Sequence, residues 1–279
     1  MTIRFRETVA DHGLDISVNP AWQMVPVGGS RTLTLTGASG LMPRVRDPQV
    51  LVAVTVPAPR GAPWMLILTG VREGLTSVEW VASVDFAGPV QQGFTLHVSV
   101  KRQQIVNTAF HYVSDGRRQI TRRRIGDIDA LVAGVNAILT PQANVRMVKK
   151  SAAPLNIAQN LGRVVRFSSD IRGVAAAQHE WDDVTASADR TADFNVFFVR
   201  EYEQDRSPLH DDAEAGTIAA DKSCIFEDRT VQPAAETLAH ETVHLLGVAG
   251  HSRLRGNLMS RRGAHLTKAQ INQINTSGT

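Results

Sequence analysis

Within short runs over residues 14–100 apolar side chains recur at every second position, a period that fits a strand with one buried face and does not fit a helix. In Arg31-Thr-Leu-Thr-Leu-Thr-Gly37, Leu33 and Leu35 alternate with Thr32, Thr34 and Thr36. Further runs at 51–56, 64–69, 75–81 and 94–100 are separated by Gly, Pro and Asp clusters, which is the spacing of a β-sandwich. No helical period interrupts them, so an all-β domain is expected at 1–102.

The period changes beyond Lys101. Ile128, Leu131, Val132, Val135, Ile138 and Leu139 recur at steps of three and four, one face of a helix predicted to stop near Thr140-Pro141, because proline has no N–H to continue it. Strands are predicted at 144–148 and 195–199, with a looser edge strand over 215–226 that turns at Asp221-Lys222. Pro233 and Gly247 bracket a helix over 234–246, and a last helix is predicted from Thr267 to about Ile274. Strands mixed with three helices indicate an α+β domain at 103–279. The stretches VPVGGSRTLTLTG, RVRDPQVLVAV and LTGVREGLTSVEW resemble bacterial immunoglobulin-like domains, which implies an immunoglobulin-like sandwich for the first domain.

Chemistry concentrates in Ala239-His-Glu-Thr-Val-His-Leu-Leu-Gly-Val-Ala-Gly-His251. Residues four apart on a helix share a face, so His240 and His244 can present two imidazoles to one ion. Glu241 stands beside them, able to reach a water at the ion's open position without itself ligating. Gly247 ends the helix and lets the chain turn back with His251. No Asp or Glu occurs between Thr242 and Thr279, so a third ligand downstream comes from His251 or His265; the short Gly-bounded loop favours His251. Three neutral nitrogens leave a fourth position open, as in a catalytic Zn2+ site.

HETVHLLGVAGHS followed by RLRGNLMS resembles the metzincin clan of zinc peptidases, and its matrixin-like members most. The family's zinc helix matches His240, Glu241, His244 and Gly247, and its Met-turn matches Asn257-Leu-Met-Ser260, with Met259 as the apolar floor beneath the histidines. The resemblance implies a metzincin-like zinc metallopeptidase domain over 103–279, hydrolysing peptide bonds with one catalytic Zn2+ and Glu241 as general base. The candidate substrate rest is the edge segment 216–220, to which an extended peptide can add as an antiparallel strand by main-chain hydrogen bonds, and the resemblance implies a pocket wall at 260–264. Arg261 and Arg262 in that wall would favour acidic or polar side chains on the primed side. Two departures stand out. The third His follows Gly247 by four residues, where the family pattern has three, and Arg261 occupies the position of the fifth-ligand Tyr of some members. No prodomain Cys precedes the site, so a cysteine switch is not expected.

Blander readings cover the remaining motifs. Cys224, the single cysteine, lies in an apolar strand and reads as an inert buried thiol. Arg117, Arg118, Arg122, Arg123 and Arg124 lack interleaved aromatics, so they read as a solvated helix start, with no nucleic acid expected as partner. His210-Asp-Asp212 offers oxygens that suit calcium but reads as an acidic loop. Trp64 and Trp80 read as sandwich core.

A net charge of +3 over 279 residues names no partner. There is no apolar h-region at the start and no membrane span is expected, so synthesis in the cytoplasm with export by a non-Sec route is the expectation. The expected partner is a protein or peptide substrate. The alternative is an adhesive or binding protein built on the sandwich, with a vestigial zinc site.

Overall fold

The computed structural model describes residues 3–6, 12–37, 41–56, 63–82, 94–166, 180–203, 214–260 and 263–279. His210, Asp211, Asp212, Arg261 and Arg262 lie outside them. The chain is rich in β-structure and forms two compact units: one of residues 1–104, 139–145 and 264–279, the other of 105–138 and 146–263. No helix among the described residues is long and apolar enough to cross a membrane.

The first unit holds β1 (Arg4–Phe5), β2 (Leu14–Asp15), β3 (Ala21–Pro26), β4 (Ser30–Thr36), β5 (Leu41–Val45), β6 (Leu51–Val56), β7 (Trp64–Gly70), β8 (Gly74–Ala82) and β9 (Thr95–Lys101). They form two sheets, ordered β1-β4-β7-β6 and β2-β3-β9-β8-β5. Every described pairing in them is antiparallel except β3 with β9. One core joins the sheets face to face: Leu33, Leu35, Leu66 and Leu68 from the first, Val25, Val78, Trp80, Leu96, Val98 and Val100 from the second, with Trp64 half-buried against them. This is the sandwich that the alternation predicts. For the five runs that the sequence reading names, the strand limits agree to within a residue or two, and β4, β6 and β7 end at or beside Gly37, Pro57 and Gly70, which turn the chain.

Strand β3 breaks the alternation. Trp22, Gln23, Met24 and Val25 are all buried, so this strand is covered on both faces. The cover over the second face comes from segments distant in sequence. Gln142 Nε2 donates to Ala264 O (2.6 Å) while its Oε1 accepts from Leu266 N (2.8 Å), and Ser99 Oγ donates to Gly278 O (2.6 Å). Lys101, fully buried, donates to Asn275 O (2.6 Å) and Ser277 O (2.8 Å). The helix α4 (Lys268–Ile274) starts with a capping box in which the Thr267 hydroxyl accepts from Gln270 N and Gln270 reaches back to Thr267 N. Its residues therefore belong with the sandwich, whereas the sequence reading places everything after 103 in one domain.

The second unit contains most of β10 (Gln104–Ser114), of α1 (Ile128–Ala143) and of β11 (Val145–Asn156), then β12 (Val165–Arg166), α2 (Glu180–Thr185), β13 (Phe194–Val199), β14 (Tyr202–Glu203), β15 (Ala215–Ile218), β16 (Ser223–Glu227), α3 (Ala234–Leu245), β17 (Gly256–Asn257) and the first residue of β18 (Gly263–His265). Its main sheet is ordered β11-β10-β13-β16-β15. Strands β10, β13 and β16 are parallel, and β15 is an antiparallel edge strand. All six residues of β13 are buried, as a central strand with both faces covered requires.

Three expectations change. Helix α1 does not stop at Thr140 but runs through Pro141 to Ala143. Proline in a last turn forfeits one bond of the ladder. The carbonyls of that last turn find acceptor roles outside the helix or at its end: Arg31 Nη2 donates to Pro141 O (2.7 Å), and Asn144, at a left-handed φ of 53°, closes the end with its N–H on Thr140 O (3.0 Å). The segment 215–226 is a hairpin in which β15 is the edge but β16 is wholly buried. Of the arginine run, Arg123 is no solvated residue: its guanidinium lies over the rings of Phe226 (4.6 Å) and Phe198 (5.2 Å) and donates to Glu227 O (2.8 Å).

Burial lowers the Lys101 pKa from 10.5 to about 8, with the Glu73 charge acting the other way. Between those pH values the unfolded chain holds a proton that the folded chain has lost, so this residue's contribution to stability rises with pH. The difference in unfolding free energy between wild type and Lys101→Met is expected to move in favour of wild type from pH 7.5 to 10, measured by urea unfolding at both values.

Candidate metal centre

Three histidines of the second unit converge. One nitrogen from each of His240, His244 and His251 lies within 4.8 Å of the others. His240 and His244 stand one turn apart on α3, and the ring of His251 stacks on that of His240 at 5.2 Å and meets His244 edge-on at 5.0 Å. The first two are half-buried and His251 is exposed, so the cluster opens to solvent on one side.

Local backbone geometry explains the convergence. Pro233 caps α3 from just outside the helix, and its carbonyl accepts from Glu236 N and Thr237 N. At the other end Gly247 takes φ 109°; its N–H bonds to His244 O (3.0 Å) and that of Val248 to Val243 O (3.2 Å). This pair of bonds is a Schellman closure. It turns the Val248 carbonyl back to accept from His244 Nδ1 at 2.6 Å. A second tight turn delivers the matching group for His240. Asn257 Oδ1 accepts from Met259 N (2.9 Å), Ser260 N returns to Asn257 O (3.0 Å), and Leu258 O accepts from His240 Nδ1 (2.8 Å). Met259 follows, fully buried, and its carbonyl accepts from Ser252 N (2.7 Å), next to His251.

Carbonyl oxygens only accept, so both rings carry their proton on Nδ1 and expose a lone pair at Nε2. These two Nε2 atoms face each other at 3.0 Å. Two nitrogens about 2.0–2.1 Å from a tetrahedral zinc would stand roughly 3.3 Å apart. Two lone pairs so placed repel without a shared cation, and the donor set therefore fits a metal ion. Burial lowers the pKa of both His240 and His244, which favours the neutral, ligating form; the Glu241 charge partly offsets this at His244.

Glu241 is buried on the same helix, and burial raises its pKa against the opposing effects of Thr217, His244 and His251. The Thr217 hydroxyl donates to Glu241 Oε2 at 2.6 Å. Thr217 sits on the edge strand β15, opposite Cys224 on β16. Sequence reasoning missed it: a Thr in an edge strand carries no signal of its own, and the residue matters only because α3 packs on that strand. Cys224 is buried, its thiol pKa pushed well up by desolvation and then by the Glu241 charge, in keeping with an inert thiol. The expected rest over 216–220 is shorter in the structure, since the strand ends at Ile218 and a turn follows.

No protein-family model and no curated protein matches this chain. Among solved structures it is similar to domains 4 and 5 of the S-layer protein SbsC, with 15% identity, 36% of this chain and 44% of that one covered, and a TM-score of 0.24. A longer piece, rSbsC(31-844), gives 14% identity, 39% and 14% coverage and a TM-score of 0.27. Amebosin in solution gives 18%, 29%, 88% and 0.20 in the same order. The chain spans less than half of these SbsC chains.

Gly247→Ala places a Cβ at a left-handed φ, costing about 1–2 kcal/mol, and loosens the Val248 carbonyl from His244. Gly250→Ala meets nothing within 4 Å. Zinc affinity, measured by competition with a chromogenic chelator, is expected to fall for the first variant and hold for the second.

Proposed function

We infer that the chain is a zinc-dependent endopeptidase of matrixin-like metzincin type. One observation carries the reading: three imidazoles meet at one point, two with their tautomers set by carbonyls, and a buried carboxylate stands on the same helix. The succession of parallel strands, antiparallel edge strand β15, histidine helix α3 and turn with Met259 supports it as well.

His240, His244 and His251 would hold the zinc, which when bound acts as a Lewis acid and brings the pKa of a coordinated water to about 7. Glu241 would take a proton from the water that attacks the peptide carbonyl and return it to the leaving amine. Burial raises its pKa, which favours its taking up a proton. Thr217 holds one carboxylate oxygen and so limits how the carboxylate turns. An extended substrate would add to β15 as a further antiparallel strand, through main-chain hydrogen bonds along 215–218.

Turnover of a denatured protein is expected to stop with chelator and return with zinc. Glu241→Gln keeps zinc, by metal analysis, while kcat falls by at least about a hundredfold; hydrolysis at the wild-type rate would remove Glu241 as base. His251→Ala lowers zinc content, and if only His265→Ala did so the third ligand would have to be reassigned. Thr217→Val, with zinc retained, lowers kcat about ten- to a hundredfold and Thr217→Ser restores most of it.

A further inference from the structure

Side chains tie strand β15 to helix α3 at two points. One tie is the bond from the Thr217 hydroxyl to Glu241 Oε2 (2.6 Å). The other lies at the N-terminal end of both elements, where Glu214, the residue before β15, reaches the start of α3. Its Oε1 accepts from Val231 N (2.7 Å), its Oε2 accepts from the Thr237 hydroxyl (3.1 Å), and Gln232 N stands 3.2 and 3.4 Å from the two oxygens. The main chain of Glu214 belongs to the sheet, since Glu227 N donates to Glu214 O (2.9 Å). The carboxylate therefore fastens the approach to α3, and its first turn, to a fixed point of the sheet.

Helix α3 has no side-chain cap of its own, because its N-cap residue is Pro233, which carries no side-chain oxygen. A carboxylate at this end also meets the positive pole of the helix dipole. The two ties act together. Glu214 and Thr217 are three residues apart on extended chain, about 10 Å. Thr237 and Glu241 are four apart on a helix, about 6 Å. A helix tied to a strand at one point can turn about that point, whereas ties at both ends of a stretch hold its register and its crossing. His240, Glu241 and His244 ride on the helix, and the main chain of β15 is where an extended peptide would add. What the two ties hold constant is the alignment of that peptide with the histidines and the base, and a misplacement of about 1 Å in such an alignment can cost about a hundredfold in rate.

We propose that Glu214 is a positioning residue for peptide hydrolysis: it fixes the histidine helix against the strand on which the substrate lies and so selects which peptide bond faces the histidine centre and Glu241. The proposal rests on the peptidase reading. Glu214 acts through α3 and supplies none of the three imidazoles, so metal content does not depend on it.

Two variants test it from the two sides of the contact. Glu214→Gln keeps the side-chain length but turns one acceptor into a donor, and Thr237→Val removes the hydroxyl and keeps the branched shape. Both are expected to retain wild-type zinc content by metal analysis. On a peptide that the wild type cuts at one bond, kcat falls about tenfold with KM within about twofold, and mass spectrometry finds cuts spread to the neighbouring bonds. In the metal-free protein the amides of 231–237 exchange with deuterium at least about threefold faster than in wild type. The proposal is overturned if both variants keep the wild-type kcat and the single cut, if kcat falls while the cut stays at one bond, or if zinc is lost in step with activity. A wild type without chelator-sensitive hydrolysis overturns the peptidase reading itself, and this proposal with it.

Discussion

The histidine centre depends on two hydrogen bonds that involve no metal, from His240 Nδ1 to Leu258 O and from His244 Nδ1 to Val248 O. Each fixes a tautomer, and together they aim two lone pairs at one point. The carbonyls are themselves held: Val248 by the Schellman closure at Gly247, and Leu258 by the turn that Asn257 organises. An arrangement that brings bare nitrogens to 3.0 Å is costly by itself, so an ion bound there would reinforce the folding of these two turns. Gly250, next to His251, stands in open space, and the third ring reaches the cluster.

Glu241 connects this centre to the sheet. Its bond from Thr217 links the carboxylate to β15, the same strand on which the proposed substrate would lie. The edge strand would then perform two tasks, presenting its main chain outward and holding the base inward. Gly216 belongs to this arrangement for a steric reason, since a Cβ there would collide with the Tyr202 ring and hydroxyl. The thiol of Cys224 lies on the next strand, opposite Thr217, where burial keeps it protonated.

In the first unit the constraint is the second face of the larger sheet. Alternation would leave Trp22, Met24, Ser99 and Lys101 facing water, yet all four are buried beneath residues 139–145 and 264–279. Polar side chains carry the attachment: Gln142, Lys101, Ser99 and Asn275 each satisfy backbone groups of segments far away in sequence.

Five strands of the first unit (β4, β6, β7, β8 and β9), the helices α1, α3 and α4 and the histidine set were legible from residue order alone, whereas β1, β2, β3, β5, the central strand β10 and the helix α2 were not. Period, capping and i,i+4 spacing are local properties, and Leu33 and Leu35 or His240 and His244 declare their shared face without any neighbour. Proline's local rule misled at Pro141, because Arg31 and Asn275 rescue the carbonyls of that last turn from 110 and 132 positions away. Periodicity says which side of an element is apolar and nothing about what covers it. The carbonyl partners of the two imidazoles, the grip of Thr217 on Glu241, the inward turn of Arg123 and the membership of α4 in the sandwich unit were therefore decided only by tertiary packing, which brings together groups that residue order keeps apart.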